Sequence, residues 1–212
     1  MKEKEIIHIL IGILVVAIVI SISPAIGGDF KFLGTAIVFS GILIGVNISA
    51  KKFAAHLLDS DVEHEIWQWS RFGFKPSWRF KKTIPLGIIL PLIISIYSLG
   101  IIKLLTPLTY ETRALKRRAA KRFGAFSFTE MTDWHIALVG ASGIVALLLV
   151  SFISYWYSGL ETLSKFAAFY AFSNMIPFSK LDGSQIFFGS KVLWATLAII
   201  TLIFTAYAFA LV

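Results

Sequence analysis

The chain has 212 residues, of which 57% are hydrophobic and only 15% charged, against the roughly 25% charged that soluble domains carry. That balance excludes an ordinary soluble globule and a disordered chain, and the lack of cysteine excludes disulfides, thiolate metal sites and cysteine nucleophiles. Several uncharged runs reach the ~18–20 residues that a membrane-crossing helix needs, so the net charge of +8 reads as basic loops beside a membrane rather than as nucleic-acid binding.

In chain order, Ile6–Ile22 is the first apolar run, preceded by Lys2 and Lys4. Small residues near Ser23–Ala25 would allow a cleaved signal peptide, but the run is long for a signal-peptide core and no clean small-x-small site follows, so it reads as a retained first crossing, with residues 1–31 forming an N-terminal helix and turn. A Gly- and Pro-containing turn, Ser23–Lys31, leads to a second helix from Phe32 through the uncharged run to Ala50 and on to about Leu58. Gly41 and Gly45 on it form a G-x-x-x-G pair of the kind that lets another helix approach. Residues 59–83 alternate in places (Val62, His64, Ile66) and are dense in aromatic and basic side chains, which predicts short strands over Val62–Lys82 at the membrane–water boundary, with Gly73 and Pro76 at the turn. Ile84–Ile102 is apolar but interrupted by Pro85, Gly87, Pro91 and Gly100; it either crosses once or dips in and returns.

Within residues 106–134, Leu115, Ala119 and Phe123 fall at spacings of four, predicting a basic amphipathic helix over Tyr110–Phe123. Its surface residues Arg113, Lys116, Arg117, Arg118, Lys121 and Arg122 suit anionic lipid headgroups. Ile136–Leu160 is the longest uncharged run; Phe166–Ser179 is short and broken by Pro177; Val192–Val212 lies in a closing membrane segment, 191–212. The expected class is therefore an all-α polytopic membrane protein of about five to six segments, with a small strand and loop region at the cytoplasmic interface. If Ile84–Ile102 crosses, Lys and Arg divide ten against ten; if it re-enters, 18 share the N-terminal side and only Lys31 and Lys165 lie opposite. The positive-inside rule selects the re-entrant arrangement, with the basic loops cytoplasmic in a prokaryotic cell membrane.

The stretch Asn174-Met175-Ile176-Pro177-Phe178-Ser179-Lys180-Leu181-Asp182-Gly183 resembles an element of the site-2 protease family of intramembrane zinc metalloproteases, N-x-x-P-x-x-x-L-D-G. Asn174, Pro177, Leu181, Asp182 and Gly183 match in type and spacing, and the resemblance implies that Asp182 stands where the family has its third zinc ligand. The other ligands and the base of that family come from H-E-x-x-H on an earlier helix, two His on one face with the Glu beside the zinc-bound water. Lys52-Phe53-Ala54-Ala55 resembles the continuation of that motif in archaeal members. Read back from it, the motif falls on Asn47-Ile48-Ser49-Ala50-Lys51, with both His and the Glu replaced. A third element, A-G-P-x-x-N, corresponds to Val139-Gly140-Ala141-Ser142-Gly143-Ile144, which keeps only the Gly.

The resemblance implies a site-2-protease-like membrane core over residues 32–190. It also implies that Lys51, about eight residues or roughly 12 Å inside its helix end, lies beside Asp182 where the family holds zinc. In the family the strand region helps guide extended substrates. Without the resemblance, Asn174, Pro177, Asp182 and Gly183 read as a helix stop and turn. His64-Glu65 begins like the metal motif, but Gln68 stands four residues after His64; His8, His56 and His135 read as interface or packing residues; Asp59, Asp61, Glu63 and Glu65 read as solvated charges. The expected function is a pseudoprotease without cofactor that binds or scaffolds membrane segments of other proteins. The alternatives are an active zinc protease with atypical ligands, or a small transporter or channel around Lys51 and Asp182.

Overall fold

The computed structural model describes residues 3–71, 79–115 and 131–210. Two long helices open the chain, α1 (Glu3–Ile26) and α2 (Phe32–Leu57), and pack along each other. The predicted bounds hold to a few residues, because an apolar run with charges at its ends has little freedom in where its helix begins and stops. At the end of α2 the Leu58 amide bonds back to the carbonyls of Ala54 and Ala55, and Asp59, at φ 52°, turns the chain into β1 (Ser60–Ile66). β2 (Trp69–Arg71) and β3 (Arg79–Ile84) form a separate antiparallel pair. The predicted turn residues Gly73 and Pro76 lie outside the described residues.

The helix predicted over Tyr110–Phe123 is corrected at its start. Residues Leu108–Ala114 form β4, antiparallel to β1 with His64 opposite Tyr110, and the Leu115 amide extends the pairing to the Asp59 carbonyl. Thr109, Tyr110 and Thr112 favour a pleated strand, and β1 supplies a partner that local spacing does not reveal. Arg113 therefore sits on a strand, 3.4 Å from Glu63 across the sheet. Lys116, Arg117, Arg118, Lys121 and Arg122 lie outside the described residues.

Because β1 and β4 pair, the chain between them must leave this sheet and come back. α3 (Leu86–Tyr97) is 12 residues, roughly 18 Å, and leads away from the sheet. The turn at Leu99 and Gly100 is left-handed at both residues, and Gly100 packs on Ser23 in the last turn of α1. Residues 101–107 return without helix, and Leu108 then packs on Gly12 of α1. The climb from the level of Ser23 to that of Gly12 is roughly 17 Å, within the ~26 Å that eight extended residues can span, so the arm covers it without helix. Its carbonyls are met by side chains and backbone of neighbours: Ser173 Oγ donates to the Lys103 carbonyl, Asn174 Nδ2 to that of Leu105, and the Trp67 amide to that of Pro107. Segment 84–102 is thus a helix and turn within a returning hairpin. Lys103, counted with the sheet side in the sequence reading, turns its ammonium to the Gly100 carbonyl, away from the sheet.

The second half comprises α4 (Asp133–Tyr155), α5 (Glu161–Asn174), α6 (Asp182–Gly189) and α7 (Lys191–Ala210). α4 is central: it packs on α2, α5 and α6, and α7 closes over α5 and α6. Among the described residues four helices, α1, α2, α4 and α7, are long and apolar enough to cross a membrane; α3 is shorter than the predicted Ile84–Ile102, and α5 begins and ends five residues before the predicted Phe166–Ser179. Their inner faces form one core that includes Ile20, Leu43, Ile44, Ile144, Leu147 and Ile186. Their outer faces are apolar as well, with Leu14, Leu149 and Ile203 exposed.

Candidate functional site

Lys51 and Asp182, 131 positions apart, meet at the centre of the bundle: Lys51 Nζ lies 2.6 Å from Asp182 Oδ2, and both side chains are almost fully buried. Two glycines make the approach possible. A Cβ at Gly143 on α4 would come within 2.8 Å of Lys51 Cε and 3.0 Å of Asn47 Nδ2, so α4 leaves the room that these side chains fill. A Cβ at Gly183 would collide with the Met175 carbonyl, so only glycine lets α6 start this close to the end of α5.

The loop between α5 and α6 is fixed from several sides. Asn174 Nδ2 donates to the Tyr170 carbonyl of its own helix as well as to Leu105. Phe178 stacks on Trp69 at 5.3 Å and meets Trp67 edge-on at 5.8 Å, and Trp67 Nε1 donates to Ser179 Oγ. Lys180 pairs with Glu111 of β4 at 2.9 Å, and Gln185 Nε2 donates to the Tyr110 carbonyl. Pro177 lines an apolar groove against α7. Asp182 is thereby delivered to a defined point, with the Tyr110 ring 4.6 Å from the Lys51 ammonium. The Tyr110 hydroxyl donates to the Ile136 carbonyl, and a Cβ at Gly140 would sit 2.5 Å from it.

The three positions aligned with the metal motif therefore do three different things. Asn47 is buried beside Gly143 and its Nδ2 has no hydrogen-bond partner; Ile48 joins the apolar core; Lys51 takes the carboxylate. Zinc does not fit this set. Asp182 is engaged by an ammonium, which repels a cation, and Asn47 and Ile48 offer neither an imidazole nor a base. Among the described residues, no group of three His, Cys, Asp or Glu is placed to hold a metal ion.

A second polar cluster lies at the sheet end and was not anticipated from the sequence in full. Glu5 of α1 is buried; its Oε1 lies 2.7 Å from Lys52 Nζ and 3.3 Å from His64 Nδ1. Three elements, α1, α2 and β1, are joined through one carboxylate. His8 and His64 border the same polar cavity as Glu5, and Glu5 looks in the sequence like one more charge near a terminus. Glu63, read as solvated, is half-buried and faces Arg113, while Asp61 and Glu65 are exposed. His56 and His135 lie at the sheet-end termini of α2 and α4, and His135 Nδ1 bonds Thr132 Oγ1.

Burial, together with the nearby Lys51 and Lys52 ammoniums, pushes the His64 imidazole well below its ordinary 6.5. It stays neutral in the fold, whereas the unfolded chain protonates it below about pH 6.5. Stability contributed by this residue is therefore complete above that pH and declines as pH falls, by about 1.4 kcal/mol per unit at most. The thermal midpoint in detergent should fall more steeply from pH 7 to pH 5 in the unmodified protein than in His64→Gln; parallel curves would show that His64 does not titrate in this way.

Comparison with known proteins finds no match: no family model, no curated protein and no solved structure is similar to the chain.

Proposed function

We propose that this protein is a membrane-embedded, non-catalytic counterpart of the site-2 proteases that binds or scaffolds membrane segments of other proteins. The observation that carries the reading is the Lys51–Asp182 pair, an ion pair standing where the resemblance would put a metal. Four long apolar helices with apolar outer faces support membrane embedding. In this reading the pair ties α2 to α6 and holds the core together without chemistry.

A client segment would lie along α2. Gly41, Ile42, Gly45, Val46, Ser49 and Phe53 form a shallow open groove with Ala146 of α4. A Cβ at Gly41 or Gly45 would meet nothing within 4 Å, so these glycines serve no packing within the described chain and leave a face on which a second helix can come close. A photo-crosslinking residue at Ile42 should capture a membrane protein from native membranes, and Gly45→Leu should abolish that product while leaving the thermal midpoint unchanged. Crosslinks to lipid alone, or a protein product insensitive to Gly45→Leu, would contradict the groove.

The sheet end is assigned to the cytoplasm. Lys4, Lys52 and Lys82 lie there, and the returning hairpin keeps the residues on either side of it on one face. Because the chain has no cysteine, Ser77→Cys and Ser127→Cys should both be labelled from the cytoplasmic side and Ile101→Cys from the other. Labelling of Ser77→Cys and Ser127→Cys from opposite sides would sink the assignment.

A further inference from the structure

Far from the Lys51–Asp182 pair, the returning arm carries a cation that the proposed function does not use. Lys103 is half-buried, and its Nζ donates to the Gly100 carbonyl at 2.7 Å. Among the described residues no carboxylate pairs with it. An ammonium has three donors, so two remain for a ligand. It borders a cavity of about 160 Å³ whose other walls are mainly apolar, among them Ile102, Leu104, Phe169, Phe172 and Phe209, with Ser173 and Thr205 as the polar exceptions. Phe172 and Ile176 are also walls of a larger apolar groove, about 400 Å³, that runs between α5 and α7 past Pro177 to Trp194. Cation and groove therefore form one continuous surface: a positive end beside the Gly100 turn, and an apolar channel leading back toward the middle of the bundle.

Gly100 packs on Ser23 in the last turn of α1, so Lys103 sits near the end of the long helices, at the depth of lipid headgroups if those helices span a membrane. A cation at that depth joined to an apolar channel matches an anionic amphiphile, with the headgroup on the ammonium and the chain in the groove. We propose that this surface is a binding site for one anionic phospholipid, its phosphate on Lys103 and an acyl chain lying between α5 and α7 across Phe172 and Ile176. The proposal rests on the membrane reading of the long helices but not on the pseudoprotease reading, whose client groove lies along α2 beside α4.

Native mass spectrometry of the full chain in detergent, titrated with phosphatidylglycerol or with phosphatidylcholine of the same chains, tests it. The unmodified protein should retain one phosphatidylglycerol about tenfold more tightly than phosphatidylcholine, as one charge-assisted contact allows. Lys103→Met should lose that preference and Lys103→Arg should keep it. Lys191→Met, which removes an equal charge from the start of α7 at the sheet end, should keep it too. Ala195→Phe, which fills the groove but leaves Lys103 in place, should weaken retention of both lipids. Equal retention of the two lipids by the unmodified protein, an unchanged preference in Lys103→Met, or an equal loss in Lys191→Met would each overturn the headgroup site. Undiminished retention by a folded Ala195→Phe would overturn the groove.

Discussion

Lys51→Met and Asp182→Leu are each expected to destabilise the protein by about 3–5 kcal/mol, the range found when one partner of a buried ion pair is removed and the other charge is stranded. Both side chains are buried and 2.6 Å apart, so neither survivor has water to turn to. Lys51 would retain the Tyr110 ring at 4.6 Å, which offsets only a fraction of the lost attraction. Among the described residues, Asp182 would retain no neighbouring cation. The double variant removes both charges and replaces them with apolar groups of similar size, so its cost should fall well below the sum of the two singles. Thermal or denaturant unfolding of the four proteins in one detergent provides the cycle. Strict additivity would mean that the two groups do not interact.

The second large effect is a gain of metal binding. Asn47 and Lys51 are one turn apart on α2, and both face the space that Gly143 leaves open. Asn47→His with Lys51→His would put two imidazoles on that face, with Asp182 freed from its ammonium. Zinc binds imidazole nitrogen and carboxylate oxygen at about 2.0–2.2 Å, so three ligands and a water would complete a tetrahedron. The double variant should bind zinc, where neither unmodified residue is a zinc ligand. Ile48 lies in the apolar core, so adding Ile48→Glu to supply a base would also cost stability. Metal analysis after dialysis reads the gain; a folded double-His variant without zinc would place Asn47 and Lys51 wrongly against Asp182.

The long helices were legible because their apolar runs leave few choices: α1, α2, α4 and α7 begin and end within a few residues of the predicted bounds. β1 was legible from the alternation of Val62, His64 and Ile66. β4 was not, since its pairing partner lies 42 to 54 residues earlier and the spacing of Leu115, Ala119 and Phe123 points to a helix instead. Hydropathy left Ile84–Ile102 undecided, and charge asymmetry selected the return that the β1–β4 pairing requires. The same tally misplaced Lys103, because it takes the non-helical arm to carry the chain back from the far end. α6 is only eight residues long and gave no periodic signal.

The site was legible unevenly. No periodicity links Lys51 to Asp182; their juxtaposition was implied only by the resemblance around Asn174–Gly183. Pro177 and Asn174 read as a helix stop, and Asn174 does bond a carbonyl of its own last turn. Its second bond, to Leu105, supports the returning arm and depends on tertiary placement alone. Glu5 was missed because the residues it joins, Lys52 and His64, lie 47 and 59 positions away.

In the proposed function the Lys51 ammonium stands where the resemblance would put a metal ion. Zinc content per chain in the unmodified protein, purified from its native membrane without chelators, tests this most directly. The account predicts far less than one zinc per chain, unchanged by added zinc after dialysis. One zinc per chain, lost on Asp182→Asn, would contradict it.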